Sequence, residues 1–207
     1  MTWVLFDYGG VLCYPQSAHD RDLLARAAGG PAADFDAAYW HYRLDYDRAV
    51  LDTTAYWQQV AAWLGTRFTG PQIAELSRLD TESWLNLQAA TVDLTAGLAA
   101  AGHRLAVLSN APEDVALAVR ELPMASYFEH LLFSCFLKTA KPEADCFRAA
   151  LGALGADPAE VVFLDDRADN VAAAAVLGIR SLQFTDAATA RNELAGYGVA
   201  GGPGIVT

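Results

Sequence analysis

Three short apolar runs in this chain each end on polar groups that a buried strand has no use for: WVLFD at 3–7, RLAVLSN at 104–110 and VVFLDD at 161–166. Near-continuous apolar runs of this length read as strands of a parallel sheet covered on both faces. Helical stretches at about 113–122 and 143–154 lie between the second and third runs. Another near 168–177 stops at Gly178, ahead of IRSLQF, which reads as a fourth strand. This alternation predicts an α/β, doubly wound, Rossmann-like sheet. Ligands of such sheets sit in the crevice beyond the carboxyl ends of the strands. The polar tips, Asp7 with Gly9 and Gly10, Ser109 with Asn110, and Asp165 with Asp166, are therefore expected to converge on one site.

The stretch 16–88 differs in character. It is rich in Trp, Tyr, Ala and Leu, carries the helix-start signals DTTAYW and TGPQIAEL, and contains no convincing strand. It reads as a helical insertion, dividing the chain into a core domain (1–15 and 89–207) and a helical cap domain (16–88). Aromatics at helical spacing in FDAAYWHYRLDYDRAVL and TTAYWQQVAAWLG are expected to pack one helix on another. The tail from about 186 is Ala- and Gly-rich, and its closing GGPGIVT is expected to pack loosely.

With 207 residues and 54% hydrophobic content, the chain can bury a sizeable core without disulfides or a structural metal. A formal charge of −11 repels nucleic acid and anionic membrane surfaces, so neither is expected as a partner. An anionic small-molecule substrate then needs a local positive site. Cys13, Cys135 and Cys146 are odd in number and lack CxxC spacing, which favours small buried thiols in a reducing compartment over a disulfide framework or zinc site. No window is apolar for 18 residues and no leader precedes the first strand, so the expected location is cytoplasmic. Monomer and homodimer are both compatible with the sequence.

Each tip also has a plain structural reading. Asp and Gly are common turn residues, Ser109 and Asn110 suit a strand-end turn or helix cap, and Asp169 and Asn170 can cap the helix that follows them, a role that suits Asp169 best. Lys141 precedes Pro142, which fits the first turn of a helix. Taken together and in order, FDYGGVL, LSN, KPEADCF and FLDDRADN resemble the four motifs of the haloacid dehalogenase-like hydrolase superfamily.

The resemblance implies a phosphatase-type enzyme with a helical cap. Asp7 would be the nucleophile, forming an aspartyl-phosphate. Because carboxylate and phosphate repel, Mg²⁺ would bridge them, with Asp7 and Asp166 as direct ligands. The backbone carbonyl of Gly9 would complete the set, and Asp165 would hold a water on the metal or the lysine. Ser109 and neighbouring amides, with Asn110 and Gly10 beside them, would bind the phosphoryl oxygens, and Lys141 would neutralise their charge. In the cap, Arg43, Tyr42, Tyr46 and Asp47 are candidate substrate-binding residues, while Arg43 and Asp47 equally suit an i,i+4 surface pair.

Two positions depart from the family's pattern. The family's phosphatases usually carry an acid–base aspartate two residues after the nucleophile, where this chain has Gly9. Such a group is worth about 10²–10⁴ in rate. Its loss leaves three readings open: a leaving group that needs little protonation, such as an anomeric sugar or acyl phosphate; a proton from another group; or a weakly active binding or regulatory protein. A 2-haloacid dehalogenase, whose aspartate attacks carbon without a metal, is the enzymatic alternative. The second departure is Lys138, where related sequences often have glycine; it reads as solvated.

Overall fold

The computed structural model describes residues 2–201, so all of the closing GGPGIVT beyond Gly201 lies outside the described residues. Strand β1 (Trp3–Phe6) leads into four helices, α1 (Ala18–Ala28), α2 (Ala32–Asp47), α3 (Thr53–Trp63) and α4 (Gly70–Ser83). There follow α5 (Ala89–Ala100), β2 (Arg104–Ser109), α6 (Glu113–Arg120), a 3₁₀ turn (Pro123–Tyr127), β3 (His130–Phe133), α7 (Ser134–Leu137) and α8 (Ala144–Leu154). A second 3₁₀ turn (Pro158–Glu160), β4 (Val161–Asp165), α9 (Ala168–Val176), β5 (Arg180–Gln183) and α10 (Ala187–Gly196) complete the described chain.

The five strands form one parallel sheet in the order β3-β2-β1-β4-β5. Side chains alternate across a strand, and both faces here are apolar and covered. On one face Val4, Phe6, Leu105, Val107, Val162 and Leu164 pack with Leu94 and Leu98 of α5 and Val115 and Val119 of α6. On the other, Trp3, Leu5, Leu108 and Phe163 pack with Phe147 and Ala150 of α8 and Ala174 of α9. The fold is thus the α/β Rossmann-like one that the alternation predicts. The sheet holds one strand more than expected, because the edge strand β3 is only four residues long and runs into α7 with no Gly or Pro between.

Helices α1–α4 bury a separate apolar cluster that includes Leu24, Phe35, Tyr39, Trp57, Val60 and Leu76. Their start signals act as capping groups: Asp52 accepts from the Ala55 N–H at 2.7 Å, and Thr69 and Gln72 form a reciprocal capping box with Pro71 in the first turn. Aromatics of α2 and α3 meet across the cluster, with Tyr46 stacked on Tyr56 at a ring separation of 4.2 Å. Lys138 closes α7 at φ 59°, in the left-handed region where a side chain is disfavoured, which explains why glycine suits this position. The three cysteines are free and buried.

Candidate active site

β1 occupies the centre of the sheet, with Phe6 level with Val107 on one side and Leu164 on the other. The chain order reverses beside β1, so its carboxyl end opens at the switch point where open α/β sheets bind ligands. Asp7 follows immediately, its N–H donating to the Leu164 carbonyl at 2.8 Å. The strand end turns tightly here: the N–H groups of Leu12 and Cys13 both donate to the Tyr8 carbonyl. Gly10 takes φ 76°, and a Cβ built on it would stand 2.4 Å from Asp166 Oδ2. Glycine at position 10 therefore satisfies two demands at once, a left-handed backbone and room for a carboxylate. Gly10→Ala is expected to destabilise the fold by about 1–3 kcal/mol and to drive Asp166 out of place. Urea unfolding checks the first effect and activity the second; wild-type values in both would contradict this account of the turn.

Asp7, Asp165 and Asp166 each offer a carboxylate oxygen within 4.8 Å of the others. Lys141 Nζ lies between the first two, 2.8 Å from Asp7 Oδ1 and 2.6 Å from Asp165 Oδ2. The lysine is buried, and Asn110 grips its backbone from both sides: the side-chain amide donates to the Lys141 carbonyl at 2.9 Å and accepts from its N–H at 2.9 Å. Asp165 is fully buried and also accepts from the Arg167 N–H at 2.9 Å and from Asn170 Nδ2 at 3.0 Å. Ser109, at the end of β2, is buried, and its hydroxyl makes one long contact of 3.5 Å with the Asn110 carbonyl.

The charges do not balance within this group. Burial raises the Asp7 pKa; Lys141 opposes the rise and Asp165 adds to it. Burial, with Asp165 nearby, raises the pKa of Asp166 as well. Burial works against the Lys141 ammonium, but Asp7 and Asp165 together outweigh it and leave its pKa raised. Three carboxylates facing one ammonium form a set of hard oxygen donors short of positive charge, which suits a divalent cation.

Asp7, Lys141, Asp165 and Asp166 thus meet at one rim, with Asn110 locked to Lys141. Gly9 has no side chain to offer; a Cβ there would touch Trp84 Cζ3 at 3.4 Å. Among the cap candidates, the Arg43 guanidinium lies 5.7 Å from the centre of the Trp84 ring, the same ring that borders Gly9. Arg43 is 5% exposed, its guanidinium 2.8 Å from Asp47 Oδ1 and 3.0 Å from Asp80 Oδ2, and it also bonds Tyr39. Arg43 and Asp47 do form an i,i+4 pair, but a buried one rather than a surface one, because Asp80 of α4 and the aromatic cluster close over it. Burial pushes the Asp47 carboxyl up to about 6, with Arg43 opposing. Tyr42 packs against His41 and Trp63, and Tyr46 reaches the core through Asp114 at 3.1 Å.

Two residues behave differently from the sequence expectation. Asp169 sits inside the first turn of α9 rather than at its N-cap, where it accepts from the Asn170 N–H at 3.0 Å and pairs with Arg167 at 2.7 Å. Asn170 turns inward to hold Asp165. Sequence reasoning missed Asp80 and Asp114, both of which act on groups far away along the chain.

A haloacid dehalogenase-like hydrolase family model matches residues 1–178, and the chain belongs to that family. Among curated relatives, flavin mononucleotide hydrolase 1 of Arabidopsis thaliana is 27% identical over 107 residues, covering 52% of this chain and 44% of that protein. The chain thus spans less than half the length of that relative. Sesquiterpene phosphatase astK of Aspergillus oryzae is 24% identical, covering 92% of this chain and 93% of its own. Among solved structures, a HAD family enzyme of Bacteroides thetaiotaomicron in complex with magnesium and inorganic phosphate aligns at TM-score 0.72 and 21% identity, over 89% of this chain and 94% of that one. L-2-haloacid dehalogenase of Xanthobacter autotrophicus aligns at 0.69 and 23%, over 95% and 84%. At these identities the two structures share the fold.

Proposed function

We propose that this chain is a Mg²⁺-dependent phosphohydrolase that removes phosphate from a small phosphorylated metabolite, with sugar phosphates as the favoured class. The observation that carries this reading is the cluster of three carboxylates within 4.8 Å of one another, with Lys141 bridging Asp7 and Asp165. The phosphatase relative that matches along most of the chain, and the fold shared with an enzyme holding magnesium and phosphate, support it.

Asp7, Asp166 and the Gly9 carbonyl would hold the cation, which would offset the repulsion between carboxylate and phosphate. An oxygen of Asp7 attacks phosphorus, the bond from phosphorus to the leaving oxygen breaks, and an acyl phosphate forms on Asp7. Water then attacks the phosphorus of this intermediate, releasing inorganic phosphate and restoring the carboxylate. Lys141 offsets the negative charge that spreads over the phosphoryl oxygens, and the Ser109 hydroxyl donates to one of them. Asn170 and the Arg167 N–H keep Asp165 turned toward the lysine. Residue 9 supplies no acid, so leaving groups that depart without a proton, such as anomeric or acyl phosphates, are favoured over simple alkyl ones.

The second reading is a 2-haloacid dehalogenase, favoured by the absence of an acid at Gly9. Against it stands the pair Asp165 and Asp166, since attack on carbon needs no cation. Three unpaired thiols support a reducing compartment, with the cytoplasm as the proposed location, and the net charge of −11 argues against a nucleic-acid or membrane partner. Among the described residues no helix is long and apolar enough to cross a membrane. The test is a panel of sugar, acyl and aryl phosphates and 2-chloropropionate, assayed with Mg²⁺ and with chelator. Chelation is expected to cut phosphate release by at least about 10²-fold, with recovery when Mg²⁺ is restored. Chloride release that survives chelation would establish the dehalogenase, and release of neither product would leave a binding or regulatory protein.

A further inference from the structure

We infer that Ser134 is a positioning residue, which carries the seating of the cap on the core to the loop that holds Lys141. The inference rests on the phosphohydrolase reading only for its kinetic consequence. Ser134 opens α7 and is fully buried. Its hydroxyl donates to the carbonyl of Asp47, the last residue of α2, at 2.6 Å, and accepts from the Ala111 N–H at 3.0 Å. A hydroxyl has one proton and two lone pairs, so these two bonds use it in both senses.

Ala111 follows Asn110, whose side chain holds the Lys141 backbone by two bonds of 2.9 Å. Lys141 Nζ in turn bridges Asp7 and Asp165. From the end of α2 to Asp7, every link is therefore a hydrogen bond, an ion pair or a covalent neighbour. The same end of α2 makes two further docking contacts with the core domain. Arg48 pairs with Glu143, two residues past Lys141. Asp114 Oδ2, in the first turn of α6, accepts from three hydroxyls: Tyr46 at 3.1 Å, Thr53 at 2.9 Å and Ser77 at 2.5 Å.

The Ser134 proton also has a second acceptor in reach, the Ala111 carbonyl at 3.4 Å. With the cap seated, the proton goes to Asp47. With the cap lifted, the only one of these two acceptors left is the carbonyl of the loop itself. A hydroxyl with two acceptors in reach, one on the cap and one on the loop, can couple cap position to loop geometry. A displacement of about 1 Å at a positioning group can cost about 10²-fold in rate, so small shifts of Asn110 and Lys141 are enough to matter.

The experiment uses the full chain with Ser134→Ala, and Ser134→Thr as the variant that keeps the hydroxyl. Ser134→Cys, close in volume to serine and a weak donor, replaces the alanine variant if that one does not fold. Two quantities are read well below Tm: kcat and KM on p-nitrophenyl phosphate with Mg²⁺, and amide hydrogen exchange at Ala111 and Lys141 without substrate. Ser134→Ala is expected to lower kcat about tenfold or more with KM within about twofold, and to speed exchange at Lys141 as well as Ala111. The threonine variant is expected to restore both. A lowered Tm with wild-type kcat and wild-type exchange at Lys141 would overturn the inference and leave Ser134 a packing group. If the wild-type protein hydrolyses no phosphate ester, the phosphohydrolase reading fails by itself, and exchange at Lys141 still decides the coupling.

Discussion

Asp7→Asn is expected to lower kcat/KM for phosphate release by about 10⁴-fold or more while leaving the fold intact. The amide nitrogen and oxygen occupy the same volume as the carboxylate but cannot form the bond to phosphorus, so the reaction loses its first step rather than one stabilising contact. The structure also predicts the sign of the stability change. Asp7 is buried and its pKa is raised, so the folded protein bears a cost for the negative charge at residue 7 in the absence of a cation. Removing that charge is expected to leave Tm unchanged or higher without Mg²⁺. Loss of activity accompanied by a large drop in Tm would mean that Asp7 serves the fold, and near-wild-type turnover would remove it from the chemistry.

Lys141→Ala is expected to damage both activity and stability. Lys141 is 3% exposed, and its ammonium bonds two carboxylates, 2.8 Å from Asp7 and 2.6 Å from Asp165. Truncation leaves two buried carboxylates side by side with no counter-charge, a situation that typically costs 3–5 kcal/mol. It also withdraws the positive group that faces the transferring phosphoryl, worth about 10²–10³ in rate. Asp7→Asn, by contrast, removes a charge whose burial is unfavourable. Chemical unfolding of the two variants side by side separates the roles. If Lys141→Ala is as stable as wild type, the bridge between Asp7 and Asp165 does not bear on the fold.

The chain's tips were legible because a buried strand gives no reason for a carboxylate at its end, so Asp7, Asp165 and Asp166 stood out against their own apolar runs. The parallel sheet followed from the same runs. What the sequence does not display depends on partners far along the chain. Ser134 lies 87 residues from Asp47, and Arg43 meets Asp80 across 37 residues, so neither spacing leaves a local pattern. The i,i+4 spacing of Arg43 and Asp47 was visible, but spacing alone gives no sign of whether a pair is covered, and here α4 supplies the cover. β3 is not legible in the sequence because its four residues, mostly half-buried at the sheet edge, carry neither a continuous buried run nor a turn signal. Asn170 shows the reverse error: a residue type common at helix starts is used for its amide, which holds Asp165.

The most direct measurement of the central claim is acid quenching during turnover, followed by mass spectrometry of the digested chain. The account predicts one phosphoryl group on the peptide that contains Asp7, present with Mg²⁺ and absent in Asp7→Asn. A phosphoryl group on another residue, or turnover of a phosphate ester by Asp7→Asn at the wild-type rate, would contradict it.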